Sequence, residues 1–243
     1  MIKRAFDMML SAAGLIGSLP LWAAIAAAIR LEDGGPIFFP QERVGLDGRV
    51  FKALKFRSMI PNAEGVSGPV QAAENDPRVT RVGRLLRATA FDELPQLWNI
   101  LVGDMSFVGP RPLRPNEIDR GSDGTAVALS DIPGYAQRHG VRPGLTGLAQ
   151  VYAPRDVPRT DKFRLDLQYL EHAGLLLDLK LILVSFWITF NAQWERRDRF
   201  RSQPGSAVAN PTKGHQGPSC SSGGEAAAAG RGVLAGTTDK ASI

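Results

Sequence analysis

The chain has 243 residues, a formal net charge of +5 and a pI near 9.7, which suits one domain with appendages. The single cysteine, Cys220, excludes an internal disulfide and gives no indication of an oxidising compartment. The basic composition indicates a polyanionic partner, which could be nucleic acid, an anionic membrane surface or a phosphate-bearing substrate.

The N-terminal segment has the composition of a membrane helix. Residues 8–29 carry no charge, and an apolar run of that length can enter a bilayer. A signal peptide is the competing interpretation, but the run is long for one and has no clear cleavage site. Pro20 is expected to kink the helix, with Ser18 bonding part of the backbone that the proline frees. Basic residues flank both ends, which favours a re-entrant hairpin over a span because positive charge marks the cytoplasmic side.

A small β-hairpin is predicted over residues 36–59. β-branched and aromatic residues flank a glycine-containing turn at residues 45–48. In the second strand, alternation puts Lys55 and Arg57 on one face and Phe56 on the other. Two such cations ordinarily form a solvated strand face, and the functional alternative is that they bind a phosphate.

Two helices are predicted after the hairpin. Arginines at positions 78, 81, 84 and 87 spread along one face of the first helix, so Arg87 is either solvated or attracted to anionic lipid headgroups. The second helix is predicted to begin at Asp92, a favourable N-cap residue, with Pro95 in its first turn. Its core-facing residues would be Leu94, Leu97, Trp98 and Leu101.

Two adjacent acids, Asp92 and Glu93, would thus lie at a helix N-terminus, where free amide groups also favour phosphate. Neighbouring residues on a helix do not face each other, so this pair is poorly placed to share a proton. The pair is better suited to divided roles, in which one carboxylate attacks or caps and the other binds a metal.

The second half of the chain offers further charged candidates. Arg111 is fixed by Gly109 and two prolines, which suits bidentate binding of a phosphate. Arg142 comes just before Gly144 and Gly147, which suggest a tight turn where backbone can approach a ligand.

The last predicted elements are an amphipathic helix and an apolar one. Asp166 lies on the helix that begins near residue 162. The apolar run over residues 175–190 is interrupted by Asp178 and Lys180, so it predicts an interfacial or buried helix. From about residue 201 the composition turns to Gly, Ser, Ala and Pro, which predicts a disordered tail.

Together these motifs resemble the small monotopic polyprenyl-phosphate phosphoglycosyl transferases, which are bacterial sugar transferases. The resemblance covers about residues 1–190 and rests on segments in one order: KRAFDMMLSAAGLIGSLPLWAAIAAAI, GPIFFPQERVGLDGRVFKALKFRSM, DPRVTRVGRLLRATAFDELPQLWNILVGDMSFVGPRPL, RPGLTGLAQV and LDLQYLEHAGLLLDLKLI. The chain looks like the minimal form, without the multi-span region of longer members.

The resemblance implies a mainly helical α+β fold in the bacterial inner membrane. A re-entrant membrane helix hairpin would occupy residues 1–33, and a compact catalytic domain with interfacial helices and the small β-hairpin would occupy residues 34–200 on the cytoplasmic face. The disordered tail would occupy residues 201–243. Membrane lipids are then expected partners, and nucleic acid is not.

The implied reaction moves a phosphosugar from a UDP-sugar to polyprenyl phosphate, the first membrane step of exopolysaccharide, capsule or O-antigen synthesis. By this resemblance Asp92 is the nucleophile, forming an aspartyl phosphosugar, and Glu93 binds magnesium. The expected phosphate-binding cations are Lys55, Arg57, Arg87, Arg111 and Arg142. Asp166 and Asp178 would support the metal or orient the arginines.

Some residues depart from the family pattern. Leu19 separates Ser18 from Pro20 at the expected helix break, Leu148 replaces a tryptophan, and residues 152–156 replace a loop that could help choose the sugar. The sugar, the polyprenyl length and the oligomeric state therefore stay open. The main alternative is an inactive membrane scaffold of a polysaccharide assembly complex, which predicts loss of the acid pair. A glycosidase is disfavoured because its two carboxylates come from separate elements.

Overall fold

The computed structural model describes residues 2–61, 63, 76–120, 126–153 and 157–190. Its helices are α1 (Ile2–Asp33), α2 (Arg81–Thr89), α3 (Gln96–Val102), α4 (Tyr135–Arg138), α5 (Leu148–Tyr152), α6 (Arg159–His172) and α7 (Leu175–Phe190). Its strands are β1 (Phe38–Val44), β2 (Val50–Phe56), β3 (Ser106–Val108), β4 (Ile118–Arg120), β5 (Ala126–Ala128) and β6 (Gly144–Thr146). The prediction of a mainly helical chain with small sheets is confirmed, and the predicted tail lies outside the described residues.

The first helix, α1, runs without interruption through Pro20. It is long and apolar enough to cross a membrane. Only 11% of its most apolar 18-residue stretch is buried inside the protein, whereas the core helix of a soluble protein is mostly buried. Ser18 Oγ donates to the Gly14 carbonyl at 2.6 Å, not to the Ile16 carbonyl that Pro20 leaves without its helical donor. The expected role of Ser18 in satisfying that carbonyl is therefore wrong, and the re-entrant hairpin stays a prediction.

Polar side chains tie the start of α1 into the rest of the protein. The buried carboxylate of Asp7 accepts hydrogen bonds from Ser106 Oγ at 2.8 Å and from the Phe107 amide at 3.1 Å. Lys3 Nζ lies 2.5 Å from Asp178 Oδ2, and the Tyr169 hydroxyl donates to Asp178 Oδ1 at 2.8 Å. The first two turns of α1 are thereby fixed to β3, α6 and α7.

The other end of α1 is also fixed. Arg57 Nη1 lies 2.6 Å from Asp33 Oδ2, Arg57 Nη2 bonds the other Asp33 oxygen, and Arg57 Nε donates to the Pro36 carbonyl at 2.6 Å. The guanidinium group is buried, so it holds the turn between α1 and β1 in one geometry.

The predicted β-hairpin is present. β1 and β2 pair antiparallel from Phe38 opposite Phe56 to Val44 opposite Val50. The turn between them includes Asp47 at φ 54° and Gly48 at φ 76°, left-handed conformations that aspartate tolerates and glycine favours. The Phe56 ring packs edge-on against Trp22 of α1, with centroids 5.3 Å apart, so the hairpin sits on the second half of that helix.

The acid pair lies in a 3₁₀ turn, Phe91–Glu93, and α3 begins only at Gln96. The prediction that a helix begins at Asp92 is wrong because backbone bonds from Glu93 and Leu94 to carbonyls three residues earlier already close the turn. The predicted core position of Trp98 is also wrong, since its residue is 50% exposed.

A close crossing of backbones occurs where the segment after β3 meets the segment before β6. β3 and β6 pair in parallel, and a Cβ atom on Gly144 would lie 2.1 Å from the Gly109 nitrogen. A Cβ atom on Gly109 would lie 2.5 Å from the Arg142 carbonyl oxygen. Gly109 and Gly144 therefore allow backbone to approach backbone, whereas the sequence had suggested that Gly144 allows approach to a ligand.

The main hydrophobic core joins α3, β3 and the three C-terminal helices. Its buried members are Leu97, Ile100, Met105, Phe107, Val108, Val151, Tyr169, Leu181, Ile182 and Ile188. The opposite side of α7 stays exposed, with Leu176 at 86% and Phe190 at 90%. The helix is thus packed on one side and exposes large apolar side chains on the other, as the interfacial prediction requires.

We expect Asp7→Ala to lower the free energy of unfolding by about 3 kcal/mol, because the buried Ser106 hydroxyl and Phe107 amide lose their acceptor. Denaturant unfolding of detergent-solubilised protein measures the change. Asp131→Ala, which removes an exposed carboxylate, is the control and is expected to change little. Equal stability of the two variants would contradict an anchoring role for Asp7.

Candidate active site

A cavity of about 1010 Å³ brings together most of the residues that the sequence singles out. Its charged lining includes Lys55, Arg57, Arg87, Asp92, Glu93, Arg111 and Asp166. Its apolar lining includes Leu10 and Gly14 of α1 and Phe38 and Phe39 of β1. The acid pair therefore shares one cavity with the helix that is apolar enough to enter a membrane.

Glu93 is held by two cations. Its Oε1 atom accepts a hydrogen bond from Lys55 Nζ at 2.7 Å and another from Arg111 Nη2 at 3.0 Å. Burial alone would raise the pKa of Glu93, but the charges of Lys55 and Arg111 outweigh it and hold that pKa well below its ordinary range. Glu93 is therefore ionised at neutral pH and fixed in position.

Asp92 has a different environment. Among the described residues, none donates a hydrogen bond to its carboxylate or forms an ion pair with it. Burial raises the pKa of Asp92 to about 6, with the charge of Lys55 opposing the rise and that of Glu93 adding to it. The carboxylate is thus ionised at neutral pH, more basic than a solvated aspartate, and open to a ligand.

A buried asparagine sets the geometry between the hairpin and the acid pair. Asn99 of α3 accepts from the Leu54 amide at 2.9 Å and donates to the Lys52 carbonyl at 2.9 Å. Lys55 follows directly in β2, while Glu93 lies just before α3. The two bonds of Asn99 therefore fix the element that carries the lysine relative to the element that carries the acids.

Arg111 is positioned by a buried ion pair. Arg138 Nη2 lies 2.8 Å from Asp166 Oδ2 and also donates to the Arg111 carbonyl at 2.7 Å. The Arg138 and Asp166 side chains are 2% and 4% exposed. The structure thus connects Asp166 to Arg111 through Arg138, and not directly to the acid pair.

Three other predicted site residues occupy different positions. Arg57 lines the cavity, but its guanidinium is engaged by Asp33 and Pro36, as described above. Arg142 is exposed, donates to the Gly103 carbonyl at 2.8 Å and does not line the cavity. Asp178 lies outside the cavity lining, bound to Lys3 and Tyr169. The structure does not bring Arg142 or Asp178 to the acid pair.

Sequence reasoning missed three polar residues. Asn99 and Arg138 are buried between elements, and their partners are distant in the sequence. Leu54 lies 45 positions from Asn99, and Asp166 lies 28 positions from Arg138, so no local pattern marks these pairs. Arg43 of β1 lines the cavity beside Arg111. The sequence did place Arg43 in β1, two residues before the hairpin turn and in the strand that pairs with the strand of Lys55. That position could have marked Arg43 as a candidate for the same site.

The donor chemistry of the acid pair fits a hard divalent cation. Among the described residues, no group of three or more His, Cys, Asp or Glu side chains forms a complete metal cage. Two carboxylates with free oxygen atoms nevertheless fit magnesium, which usually takes one or two protein carboxylates and completes its shell with phosphate and water. Glu93 Oε1 is already occupied by cations, so Oε2 is the atom available to a metal.

The arrangement combines an open, basic carboxylate with a fixed carboxylate and several cations, including Lys55, Arg87 and Arg111, within one cavity. Such a site can bind phosphate groups, and it can present Asp92 as a nucleophile to a phosphorus atom whose charge the cations offset. Adjacent apolar surface extends the site toward α1.

Comparison with known proteins agrees with this chemistry. A profile of the bacterial sugar transferase family matches residues 1–192. The chain belongs to this family. The match includes α1, the β-hairpin, the acid pair and all the cavity-lining residues named above.

Individual relatives support the assignment to bacterial sugar transferases. A UDP-glucose:undecaprenyl-phosphate glucose-1-phosphate transferase of Caulobacter vibrioides is 45% identical over 188 residues, 74% of this chain and 67% of the relative. The exopolysaccharide production protein PSS of Rhizobium leguminosarum bv. phaseoli is 41% identical over 186 residues, 74% of this chain and 91% of the relative.

A third relative carries a different sugar in its name. The UDP-N-acetylgalactosamine-undecaprenyl-phosphate N-acetylgalactosaminephosphotransferase of Aeromonas hydrophila is 40% identical over 184 residues, 74% of this chain. Several relatives are much longer than this chain. The aligned part covers 42% of the Aeromonas protein and 35–40% of the length of four further relatives.

In magnesium-free solution, we expect Asp92 to titrate near pH 6, because burial disfavours its charged form. The difference between the proton-uptake curves of the wild type and Asp92→Asn measures this pKa. Lys55→Met removes an opposing charge and is expected to raise the midpoint further. A midpoint near the ordinary 3.8 would contradict the environment described for Asp92.

Proposed function

We propose that this sugar transferase moves a phosphosugar from a UDP-sugar to polyprenyl phosphate and releases UMP. The observation that carries the proposal is the open carboxylate of Asp92 among Lys55, Arg87 and Arg111 in a cavity also lined by α1. The cations suit two anionic substrates, and the apolar lining suits a lipid. The names of the relatives add support, and they differ in the sugar, so we assign none.

In the first step, an Asp92 carboxylate oxygen attacks the β-phosphorus of the UDP-sugar. The bond from that phosphorus to the bridging oxygen breaks, and UMP leaves with the electron pair. The product on the protein is an aspartyl phosphosugar, a mixed anhydride that is reactive enough for a second transfer. No residue in the described part of the chain is bonded to the Asp92 carboxylate, which supports Asp92 as the attacking group, because no hydrogen bond to those residues has to be broken first.

Glu93 has a separate role in this proposal. Its carboxylate orients Lys55 and Arg111 toward the phosphates, while its other oxygen would bind magnesium. Magnesium, when bound, would neutralise charge on the diphosphate and lower the repulsion that Asp92 meets. The raised pKa of Asp92 and the lowered pKa of Glu93 suit this division, since pairs whose environments push their pKa values apart often have distinct roles.

In the second step, a phosphate oxygen of polyprenyl phosphate attacks the same phosphorus. The bond to Asp92 breaks, the carboxylate is regenerated, and polyprenyl diphosphate-sugar is formed. This would be the first membrane step of exopolysaccharide, capsule or O-antigen synthesis. The apolar side chains of α1 and β1 that line the cavity offer the lipid a path to the acid pair.

We further propose that α1 enters the inner membrane without crossing it and that the catalytic domain lies on the cytoplasmic face. Both ends of α1 bind the same body: Lys3 and Asp7 contact β3, α6 and α7, and Asp33 contacts Arg57. A crossing helix has its ends on opposite sides of a bilayer, which these contacts would not permit. The exposed apolar faces of α1 and α7 supply the surface for membrane contact.

We expect the wild type to release UMP from at least one UDP-sugar in the presence of magnesium, and Asp92→Asn to release none because an amide cannot form the anhydride. Release is measured on detergent-solubilised protein with and without polyprenyl phosphate. A burst of one UMP per active site without acceptor would reveal the covalent step.

Asp131→Asn is the matched control for this assay, because it makes the same chemical change at an exposed aspartate outside the cavity. It is expected to release UMP at the wild-type rate. Full activity of Asp92→Asn would overturn the assignment of the nucleophile. If the folded wild type releases no UMP from any UDP-sugar, the alternative of an inactive membrane scaffold would be favoured.

We expect cysteines at Ile2 and Leu31, which are 76% and 87% exposed, to react with a membrane-impermeant reagent from the same side. The background is Cys220→Ser, and labelling is compared in inside-out and right-side-out vesicles. A cysteine at Ile16, 70% exposed in the middle of α1, is expected to be shielded by lipid. Labelling of the two ends from opposite sides would contradict the proposed topology.

A further inference from the structure

Arg43 is a partly buried cation of the cavity that the reaction described above does not use. Its backbone lies beside the segment that carries Arg111, since the Val44 amide donates to the Leu113 carbonyl at 2.8 Å. Arg43 Nη1 donates to the Pro112 carbonyl at 3.1 Å, and Nη2 bonds the Gln41 amide oxygen. Both partners are neutral.

A guanidinium that is partly removed from water is stabilised by a carboxylate partner, because desolvating an unpaired charge is unfavourable. Within the described residues, Arg43 has no such ion pair. Its closest charged neighbours include two more arginines, and burial together with the charges of Arg111 and Arg114 lowers the pKa of Arg43 to about 10. The protein without ligand therefore concentrates positive charge at this point.

Positive charges outnumber negative charges around Arg43. Glu93 is shared by Lys55 and Arg111, while Glu117 accepts from Arg159 at 2.6 Å and from the Arg114 amide at 3.1 Å. With Asp92 included, these three carboxylates are outnumbered by the cations of the cavity lining, which include Arg43, Lys55, Arg87, Arg111, Arg114 and Arg159. The excess of positive charge favours an anionic phosphate ligand at this point.

Arg43 also has hydrogen-bonding capacity left. A guanidinium carries five N–H donors, and the bonds to Pro112 and Gln41 use two of them. The remaining donors belong to a planar group that can bind two phosphate oxygens at once. Arg43 lines the cavity, as do Arg111 and Arg114.

Arg111 connects this point to the acid pair. It contacts Glu93, next to Asp92, and it also lies near Arg43. A β-phosphate held near Asp92 and Arg111 would thus have its α-phosphate close to Arg43.

We propose that Arg43, with Arg111, binds the phosphate group that lies opposite Asp92 during phosphoryl transfer. This inference rests on the proposed function. Attacking and leaving oxygens are roughly in line in such transfers, so the α-phosphate leaves from the side opposite Asp92. The phosphate of the lipid must enter from that same side in the second step. Arg43 therefore serves the departing nucleotide phosphate first and the incoming lipid phosphate afterwards.

The test replaces Arg43 with methionine, which keeps the length of the side chain and removes the charge. In an Asp92→Asn background, calorimetry is expected to show about ten- to hundredfold weaker binding of UMP, the loss of a charged hydrogen-bonded contact. With Asp92 intact, kcat/KM is expected to fall by a similar factor for both UDP-sugar and polyprenyl phosphate. Arg43→Lys keeps the charge and is expected to retain part of the affinity.

Thermal unfolding separates this role from a structural one. If Arg43 binds a ligand phosphate, Arg43→Met should unfold at the same temperature as the parent or higher without ligand, because the substitution removes a partly desolvated charge that Arg111 and Arg114 repel. The rise in unfolding temperature caused by UMP should be lost. Arg49→Met, an exposed arginine of the same hairpin outside the cavity, should keep that rise.

The possible outcomes lead to distinct conclusions. Unchanged UMP affinity in Arg43→Met would overturn this inference and leave the proposed function standing. A fall in kcat/KM for only one of the two substrates would overturn the shared use of the subsite. A large loss of stability without ligand would assign Arg43 to the fold instead. If UMP does not bind the folded Asp92→Asn protein at all, the proposed function and this inference both fail.

Discussion

The candidate site depends on the cost of placing two adjacent carboxylates at the edge of an apolar core. Two negative charges so close together repel each other, and burial adds to the penalty. Glu93 is bonded to Lys55 and Arg111, whereas Asp92 has no hydrogen bond or ion pair with any residue that the structure describes. This difference is the physical basis of the separate roles that we propose for the two carboxylates.

The cations that offset these charges come from elements far apart in the chain, so the site exists only when the tertiary structure is complete. Lys55 is in β2, Arg87 in α2, and Arg111 in the loop after β3. Buried polar residues set the distances between these elements: Asn99 joins α3 to β2, and Arg138 joins Asp166 to the Arg111 backbone. Such fully bonded buried groups favour one relative placement over others, because a shifted neighbour would leave them unsatisfied.

Local patterns in the sequence were enough to predict the β-hairpin and the apolar helices. Turn residues and alternation identify β1 and β2, and an uncharged run identifies α1, because these signals depend on neighbours in the chain. Local patterns failed where a partner lies far away. Arg57 looks like any strand cation until Asp33 is brought beside it, and the exposed position of Trp98 follows from the way α3 packs. The start of α3 was misplaced because a 3₁₀ turn closes the backbone without a capping side chain.

The comparisons and the structure contribute different parts of the functional argument. Family membership of residues 1–192 assigns the class of protein. The contacts then separate residues that face the cavity, such as Arg87 and Arg111, from residues such as Asp178 that hold the helices together. Residue type alone could not separate these two groups, because charged residues occur in both.

The attachment of α1 at both ends has a mechanical consequence. A membrane helix that is free at one end adapts to a thicker or thinner bilayer by changing its tilt. With Asp7 bound to β3 and Asp33 bound to Arg57, α1 cannot tilt independently of the catalytic domain. With α1 in a membrane, as proposed above, the surrounding lipid would have to deform instead. The protein, and not the thickness of the membrane, would then set the depth of the cavity relative to the headgroups.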